Sequence, residues 1–442
     1  MNNKLIKKLS NVFTLLDYIR MIGVPLENGK RVKAIQNRNL RKLMKRAYEI
    51  PFYRERFDAA GLKPDDIQTA EDLVRFPVLT KEQLKEWVRK ETESNPEKYA
   101  DWISVTTSGS TGIPLKTMIT PRENAKLAAN WLRIGYRNGL NPFFDKTMAL
   151  KDPEIIKARN GRDSIVQKFG ILQRFCIPFF SDGKTVLENL NREKPDFLYI
   201  HRSKLVETLL YAEKMHIEVY KPKLLGIIGE GVDAGSAPLI DKYFSGVYFS
   251  SYGTMETGAC SYTKKGTYKK HVVTQDTHII NVVDDAGKLS TRGKMLITNL
   301  FFYGFPVINY DIQDGAEVSV PEGNGVSYIM EIYGRLNDRI FFEDGLSTDW
   351  LSFYTVMEKR KDILQFRVVQ KTYRDIEVQV VKNQPFVTKS DDQIEKELEA
   401  GIRNIIKRPE INYVFTWHDE LKPDKNGKRR YIVSEINHKN KY

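Results

Sequence analysis

Short apolar runs alternate with helix-like stretches from about residue 100 onward. Each apolar run has the length of a strand, and each intervening stretch has the length of a helix. Strands separated by helices are typical of an α/β sheet with helices on its faces, so the pattern predicts this fold class. The strand candidates lie at 146–150, 196–200, 224–229 and 246–250, and the helix candidates at 121–135, 203–215 and 236–243.

The pattern changes twice toward the C-terminus. Strand-like runs dominate 276–333 and predict a β-rich subdomain, in which FFYGFPVINY (301–310) is expected to be a buried strand. After Gly334 a mixed pattern predicts a small α+β domain. We therefore divide the chain into a large domain, 1–335, and a small one, 336–442. The small domain is expected to have helices near 350–360 and 391–406 and strands near 364–371, 375–381, 412–417 and 430–434.

The first fifty residues read as helical. The stretch 33–49 predicts a basic amphipathic helix, followed by a turn at PFYRERF. The partly apolar segment KLIKKLSNVFTLLDYIRMIG is interrupted by polar residues and lacks the small-residue cleavage site of a signal peptide. We interpret it as a helix packed on the protein body, the alternative being a helix at a membrane surface. No apolar run is long enough to span a bilayer.

Charge and cysteine content limit the function classes. The net charge of +13 has no zinc-finger or RNA-recognition signature beside it, so a phosphate-rich small molecule explains the excess and no nucleic-acid partner is expected. Two distant cysteines give no disulfide framework. The compartment is therefore predicted to be reducing, with the cytoplasm as the default location.

The segment VTTSGSTGIPLK (105–116) has the composition of a phosphate-binding loop. Its glycines let the backbone approach an anion closely, and its hydroxyl and N–H groups can bind phosphate oxygens. It is not a Walker A loop, because the Gly-Lys-Ser/Thr that ends such a loop is missing. Taken alone, an ordinary surface loop remains an equal alternative.

Five segments in order resemble the motifs of adenylate-forming enzymes. TSGSTGIP resembles their phosphate-binding signature, and SYGTMETG (251–258) the Tyr-Gly-x-Thr-Glu motif. INYDIQD (308–314), GRLNDRI (334–340) and DKNGKRRYIV (424–433) are similar to the ribose, hinge and C-terminal Gly-Lys motifs. The entry region (51–84) and GIIGEGVD (226–233) resemble the phenylacetate–CoA ligase group and its coenzyme F390 synthetase-like and capsule-biosynthesis relatives. The resemblance covers about residues 35 to 435.

This resemblance implies a large N-terminal adenylate-forming domain of α/β sheets with a β-rich subdomain, and a small mobile α+β C-terminal domain. It also implies three catalytic roles. Glu256 binds Mg²⁺, Arg335 donates to the ribose or a phosphate, and Lys428 neutralises charge in the transition state. Asn337 marks the hinge about which the small domain rotates.

The nucleotide contacts are implied in the same way. Tyr252 offers a flat face to adenine, Gly229 and Glu230 form the facing edge, and Asp314 accepts hydrogen bonds from the ribose hydroxyls. Gly253 and Thr254 belong to the same motif as Tyr252. The β- and γ-phosphates are held by the loop residues Thr107, Ser108, Gly109, Ser110, Thr111 and Gly112. Lys116 is a weaker candidate for the same anion.

Some positions depart from the family pattern. Met255 stands where a hydroxyl residue is usual, and the ribose motif has Asp311 and Gln313 in place of Arg and Gly. Cys260 and His271 fall near the positions at which some relatives hold zinc. Because no Cys-x-Cys follows, no zinc site is expected.

The resemblance implies ATP-dependent activation of a carboxylic acid to acyl-AMP with release of pyrophosphate. The acyl group then passes to an acceptor, with CoA as the leading expectation. One alternative is transfer to an amine or hydroxyl, for instance on a sugar of a surface polysaccharide. A second alternative is a non-catalytic anion- or nucleic-acid-binding protein on a decayed ligase scaffold.

Overall fold

The structure is a computed structural model. It describes residues 3–26, 28–106, 116–151, 153, 156, 165–229, 231–232, 236–284, 286–319, 327–335, 339–344, 347–349, 353, 356–357, 360–422 and 431–436. The chain divides into two compact units. The first is Met1–Gly231 with Gly246–Ile332, and the second is Val232–Ser245 with Tyr333–Tyr442.

The first unit begins with helices. They are α1 (Asn3–Lys8), α2 (Ser10–Ile22), α3 (Gly29–Tyr48), α4 (Pro51–Ala59), α5 (Lys81–Ser94) and α6 (Pro96–Tyr99), with 3₁₀ turns at Pro64–Asp66 and Glu71–Arg75. The basic amphipathic helix is confirmed as α3, which buries Leu40 and Leu43 on one face. The turn predicted at PFYRERF is wrong. Pro51 at the first helical position favours a helix start, and Tyr53 and Phe57, four residues apart, bury the same face of α4.

The N-terminal segment packs on the protein body, as predicted. Helix α2 lies against α7 (Pro121–Arg137), where Asp17 forms an ion pair with Arg122 and Thr14 donates to the Ala125 carbonyl. The Tyr18 ring meets Tyr136 edge-on at 6.0 Å. Within the described ranges, no helix is both long and apolar enough to cross a membrane.

One large sheet forms the centre of the first unit. It contains the strands β3 (Thr147–Lys151), β4 (Arg174–Pro178), β5 (Phe197–His201), β6 (Leu224–Ile228) and β7 (Tyr248–Thr254). In sequence, the described helices between them are α8 (Ile165–Lys168), α9 (Gly183–Glu193) and α10 (Arg202–Met215). The strands are parallel neighbours in the order β4, β3, β5, β6, β7, and the predicted α/β alternation is thereby confirmed.

The β-rich stretch continues this sheet in antiparallel fashion. Its strands are β8 (Gly258–Tyr262), β9 (His271–Val273), β10 (His278–Val283), β11 (Arg292–Asn299), β12 (Tyr310–Val318) and β13 (Tyr328–Arg335). Beyond β7 the order among the described strands is β8, β9, β13, β12, β11, β10. A separate pair, β1 (Ile103–Thr106) and β2 (Lys116–Ile119), is antiparallel and leads into α7.

The segment 301–310 is buried but is not the strand that its composition predicts. Phe301, Phe302 and Phe305 lie in the core, and strand β12 begins only at Tyr310. The carboxylate of Glu123, itself buried, accepts the backbone N–H groups of Tyr303 and Gly304. This contact satisfies the backbone donors without a strand partner, which allows the segment to remain a buried loop.

The described elements of the second unit are α11 (Ala237–Phe244), β14 (Arg339–Phe341), β15 (Ser347–Asp349), β16 (Ile363–Gln370), β17 (Asp375–Lys382), α12 (Asp391–Ile406), β18 (Asn412–Trp417) and β19 (Ile432–Ser434), with a 3₁₀ turn at Gln384–Phe386. Four of the strands form a sheet of the order β18–β17–β16–β19. Helix α12 packs on it through Ile394, Leu398 and Ile402, which share one apolar core with the strands. The predicted helix at 391–406 and the strand at 412–417 are confirmed at those bounds.

Candidate active site

The predicted site residues of the first unit gather at the carboxyl ends of parallel strands. Strands β5, β6 and β7 are neighbours, and their register pairs His201 with Ile228 and Ile228 with Ser251. Ligands of open α/β sheets bind at this edge. Gly229 and the Tyr252–Thr254 segment therefore lie where a ligand-binding crevice is expected.

Gly229 follows β6 with a backbone φ of +72°. A Cβ atom here would lie 2.5 Å from the His201 ring, so a side chain would suffer both backbone strain and a clash. The His201 ring in turn meets Phe179 edge-on at 4.9 Å. Because Gly229 has no side chain, its backbone is open to a flat ligand beside strand β7, which carries Tyr252. The prediction that Gly229 lies against one edge of adenine requires such an opening.

Tyr252 and Asp314 form a direct contact across the sheet. The Tyr252 hydroxyl donates to Asp314 Oδ2 at 2.5 Å, although three strands separate β7 from β12 in the sheet order. Asp314 lies in an irregular part of β12, where the pairing with β11 shifts and Gln313 has a φ of +67°. Because bulges re-aim side chains, the departure at Gln313 is part of the geometry that turns Asp314 toward Tyr252.

Glu256 lies in the tight turn between β7 and β8 and is 7% exposed. The Tyr310 hydroxyl donates to Glu256 Oε1 at 3.5 Å. Burial, followed by the nearby Glu256 carboxylate, raises the pKa of Tyr310, so the phenol keeps its proton and remains a donor. Tyr310 begins β12, the strand that also carries Asp314. Strand β12 therefore contacts Glu256 through Tyr310 and Tyr252 through Asp314.

The turn that carries Glu256 is braced by small polar residues. The hydroxyls of Thr254 and Thr257 lie 3.1 Å apart, and the Thr257 N–H donates to the Thr254 hydroxyl. Gly253 is required next to the turn, because a Cβ there would lie 2.2 Å from the Gly258 carbonyl oxygen. At position 255, where the family motif usually has a hydroxyl residue, this chain has Met255. The hydroxyls that brace the turn come from Thr254 and Thr257 instead.

Two buried side chains hold the same turn from below. The Thr257 carbonyl accepts from His278 Nε2 and from Asn299 Nδ2, both at 2.8 Å. Since a carbonyl only accepts, His278 carries its proton on Nε2, while Nδ1 faces the hydroxyls of Thr274 and Thr277 at 3.0 Å. Neither His278 nor Asn299 was singled out from the sequence, since each lies in a strand-like run that gives no chemical signal.

A buried ion pair fixes α7 beside the turn. Arg133 binds Asp276 at 2.7 Å and Asn130 at 2.5 Å, and Asn130 donates to the carbonyl of Ala259 in β8. Removing one partner of such a pair would leave a buried charge. Helix α7 is also the element that follows the predicted phosphate loop. Its N-terminus is capped reciprocally by Thr120 and Glu123.

Several predicted site residues lie outside the described residues. The backbone of Arg335 ends β13, but its side chain is among those not described. Strands β1 and β2 bring the two ends of the predicted phosphate loop together, pairing Thr106 with Lys116, and Lys116 is exposed. The remaining positions outside the described residues are Thr107, Ser108, Gly109, Ser110, Thr111, Gly112, Glu230, Asn337 and Lys428.

The described residues fit a nucleotide with a phosphate-bound Mg²⁺ better than a metal held by protein alone. Among them no cluster of three His, Cys, Asp or Glu side chains exists that could enclose an ion. Mg²⁺ usually takes one or two carboxylates together with substrate phosphates. The buried carboxylate of Glu256 meets that requirement. Cys260 is buried, which raises the pKa of its thiol to about 12, and its Sγ donates to the Tyr252 carbonyl.

The buried histidines predict an acid-sensitive first unit. Burial lowers the pKa of both His271 and His278 from 6.5 to about 4. Between these pH values the unfolded chain binds more protons than the folded chain. The free energy of unfolding should therefore fall as pH drops, by roughly 1.4 kcal/mol per pH unit for each histidine. His278→Gln is expected to remove about half of this slope, measured by denaturant unfolding between pH 7 and 4.5.

His271→Gln serves as the parallel variant. Each single substitution should reduce by one the number of protons that the chain takes up when it unfolds at acid pH. The double variant should reduce this number by two. An unchanged slope in the double variant would contradict the burial of these two rings.

No protein-family model matches the chain, but curated sequences do. A phenylacetate–coenzyme A ligase of Escherichia coli (strain K12) is 34% identical over 117 residues, which is 26% of this chain and 26% of that enzyme. The phenylacetate–coenzyme A ligase of Aromatoleum evansii is 24% identical over 337 residues, or 72% of this chain and 73% of that enzyme. The first match thus spans about a quarter of the relative, and the second spans most of it.

A solved structure extends the likeness over nearly the whole chain. The 2-hydroxyisobutyryl-CoA ligase, solved in the postadenylation state in complex with 2-HIB-AMP, superimposes with a TM-score of 0.72 at 16% identity. The superposition covers 92% of this chain and 90% of that one. The chain therefore has the fold of the adenylate-forming ligases and is similar in sequence to phenylacetate–coenzyme A ligases, which confirms the resemblance predicted from its motifs.

Proposed function

We propose that this chain activates a carboxylic acid with ATP to give an acyl-AMP and pyrophosphate, and then transfers the acyl group to CoA. The observation that carries the proposal is the convergence of Tyr252, Asp314 and Glu256 on β7, its turn and β12. Sequence similarity to phenylacetate–coenzyme A ligases supports the same reaction class. The division into an ATP- and acid-binding domain and a mobile lid domain is part of this proposal.

The nucleoside is positioned by the first unit. The Tyr252 ring would stack on adenine, with Gly229 allowing close approach from the β6 edge. Asp314 would accept hydrogen bonds from the ribose hydroxyls, as charged acceptors do most strongly. Its bond with Tyr252 aligns the ring and the carboxylate before the ligand arrives. Tyr252 would thus recognise the base and Asp314 the ribose of the same nucleotide.

The chemical step needs charge neutralisation, because a carboxylate attacks the α-phosphorus of ATP. Glu256 would hold Mg²⁺, and this ion supplies positive charge to the phosphates when it is bound. The bracing of the Glu256 turn by Thr257, His278 and Asn299 fixes the carboxylate in advance. The loop residues 107–112 and Lys428 keep the phosphate and transition-state roles that the motifs imply.

The proposal predicts acid-dependent exchange of label between pyrophosphate and ATP. A panel of aryl, fatty and amino acids is expected to contain at least one that stimulates exchange in the presence of Mg²⁺. Absence of exchange across the panel, with no ATP binding by calorimetry, would contradict the enzyme and favour a binding protein. Once the acid is found, adding CoA, an amine or a sugar to the acyl-AMP identifies the acceptor. Release of the acyl group to CoA alone is the expected result.

A further inference from the structure

The proposed function leaves the first three helices without a role, although they carry most of the net charge of the chain. Residues 1–50 contain twelve Lys and Arg against three acidic residues, in a chain whose total net charge is +13. Helix α3 alone has eight basic residues and no acidic one. An excess concentrated in one segment attracts anions, unlike an excess spread over the surface.

Much of the charge on α3 is exposed and uncompensated. Lys33, Lys45 and Arg46 form surface ion pairs with Glu71, Asp65 and Glu49. In contrast, no carboxylate of the described residues lies within 4.0 Å of four other exposed basic side chains. These are Lys30, Arg31, Arg38 and Lys42.

Helix α2 has an apolar stripe on the face opposite its packing face. Thr14, Asp17, Tyr18 and Met21 are buried against the body of the first unit. Val12, Leu16 and Ile19, which repeat at four- and three-residue spacing, are 38%, 45% and 54% exposed. Leu5 on α1 continues the same spacing and is also exposed. One face of α2 is therefore buried against the protein, while an apolar stripe on the opposite face is exposed to water. Such a stripe is typical of a surface that binds a partner.

The stripe and the basic helix are neighbours in sequence. Six residues connect α2 to α3, so the two helix ends are at most about 25 Å apart. The acidic residue of α2, Asp17, pairs with Arg122 and also lies 3.9 Å from Arg20, whose side chain is 74% exposed, so α2 carries an exposed cation of its own. Exposed aliphatic side chains beside uncompensated basic ones match a surface that is apolar inside and anionic outside.

We infer that helices α1–α3 dock this protein on the surface of an anionic lipid bilayer. The aliphatic stripe enters the headgroup boundary, and the basic side chains bind lipid phosphates. A second copy of the chain fits less well, because two such helices would bring like charges together. Nucleic acid also fits less well, because it offers nothing to the aliphatic stripe, and no aromatics interleave the basic residues.

The test is co-sedimentation of the full chain with vesicles. Vesicles of phosphatidylcholine with about 30 mol% phosphatidylglycerol are expected to bind the protein at least about tenfold more tightly than pure phosphatidylcholine vesicles. Raising NaCl from about 0.05 to about 0.5 M should weaken the binding. Leu16→Gln with Ile19→Gln should weaken it roughly 30-fold, and Arg38→Gln with Lys42→Gln by a similar factor.

Matched controls use the same chemistry elsewhere in the first unit. Ile217→Gln with Leu289→Gln removes two exposed aliphatic side chains, and Lys184→Gln with Lys214→Gln removes two exposed charges. Both control pairs should bind vesicles as the parent does. All variants change exposed side chains, so unchanged thermal unfolding and unchanged ATP–pyrophosphate exchange are expected to accompany them.

Three outcomes would overturn the inference. The first is no binding to the anionic vesicles at low salt. The second is equal binding by the stripe variant and its control. The third is a dimer in sedimentation equilibrium that Leu16→Gln with Ile19→Gln dissociates, which would assign the stripe to a second copy. None of these outcomes affects the exchange reaction, so the proposed function is tested separately.

Discussion

Replacing Glu256 with glutamine is expected to slow acid-dependent ATP–pyrophosphate exchange by about 10²–10³-fold while the protein stays folded. Glutamine keeps the shape of the side chain and an oxygen that accepts from the Tyr310 hydroxyl, so the buried contact survives. It loses the negative charge that a hard cation requires. Exchange rates measured across a Mg²⁺ titration should show that saturating Mg²⁺ restores only part of the activity.

Glu188→Gln is the matched control for this substitution. Glu188 is an exposed carboxylate that pairs weakly with Lys184, so its loss should change neither exchange nor stability. If Glu256→Gln retained the activity of the parent at limiting Mg²⁺, Glu256 would be a structural residue of the turn. Thermal unfolding of both variants separates this result from a folding defect.

The parallel half of the sheet could be predicted closely because burial on both faces leaves continuous apolar runs. The runs at 224–229 and 196–200 fall on β6 and β5 within one residue. Helix α12 could also be predicted at its bounds, since Ser390 and Gln393 form a capping box that is readable in sequence. At these elements the local sequence preference and the tertiary packing favour the same secondary structure, so the sequence alone predicts it correctly.

The errors occurred where a distant group decided the local structure. The apolar run 301–310 reads as a strand, but the Glu123 carboxylate satisfies its backbone from 180 residues away. The turn predicted at PFYRERF is a helix, because Tyr53 and Phe57 find buried partners. For 301–310 the sequence pattern was correct about burial. The tertiary contact chose the backbone conformation.

The sequence motifs identify the residues that we propose to bind the nucleotide, but not the residues that support them. Tyr252, Glu256 and Asp314 stand in recognisable motifs, whereas the bulge that aims Asp314 follows from the register between β11 and β12. His278 and Asn299 converge on the Thr257 carbonyl only after folding. No sequence spacing predicts that a side chain of one strand donates to a backbone carbonyl in a distant turn.

Asp314→Ala is expected to remove the preference for ATP over 2′-deoxy-ATP and 3′-deoxy-ATP. A hydrogen bond to a charged acceptor contributes about 1.5–3 kcal/mol, so the parent should prefer ATP over a deoxy analogue by roughly 10–100-fold. The variant has no acceptor for the ribose, and its KM for ATP should rise by a similar factor. Its remaining activity should then be nearly equal for all three nucleotides, as measured by exchange at varied nucleotide concentration.

Tyr252→Phe distinguishes recognition of the ribose by Asp314 from a role in which Asp314 only holds the Tyr252 ring in place. Both substitutions break the hydrogen bond between Tyr252 and Asp314, but only Asp314→Ala removes the carboxylate. Tyr252→Phe keeps an aromatic face for adenine and leaves Asp314 able to accept from the ribose. It should therefore retain the discrimination against both deoxy analogues. If the two variants lost discrimination equally, the contact between Tyr252 and Asp314 would matter as a brace, and Asp314 would not be the residue that recognises the ribose.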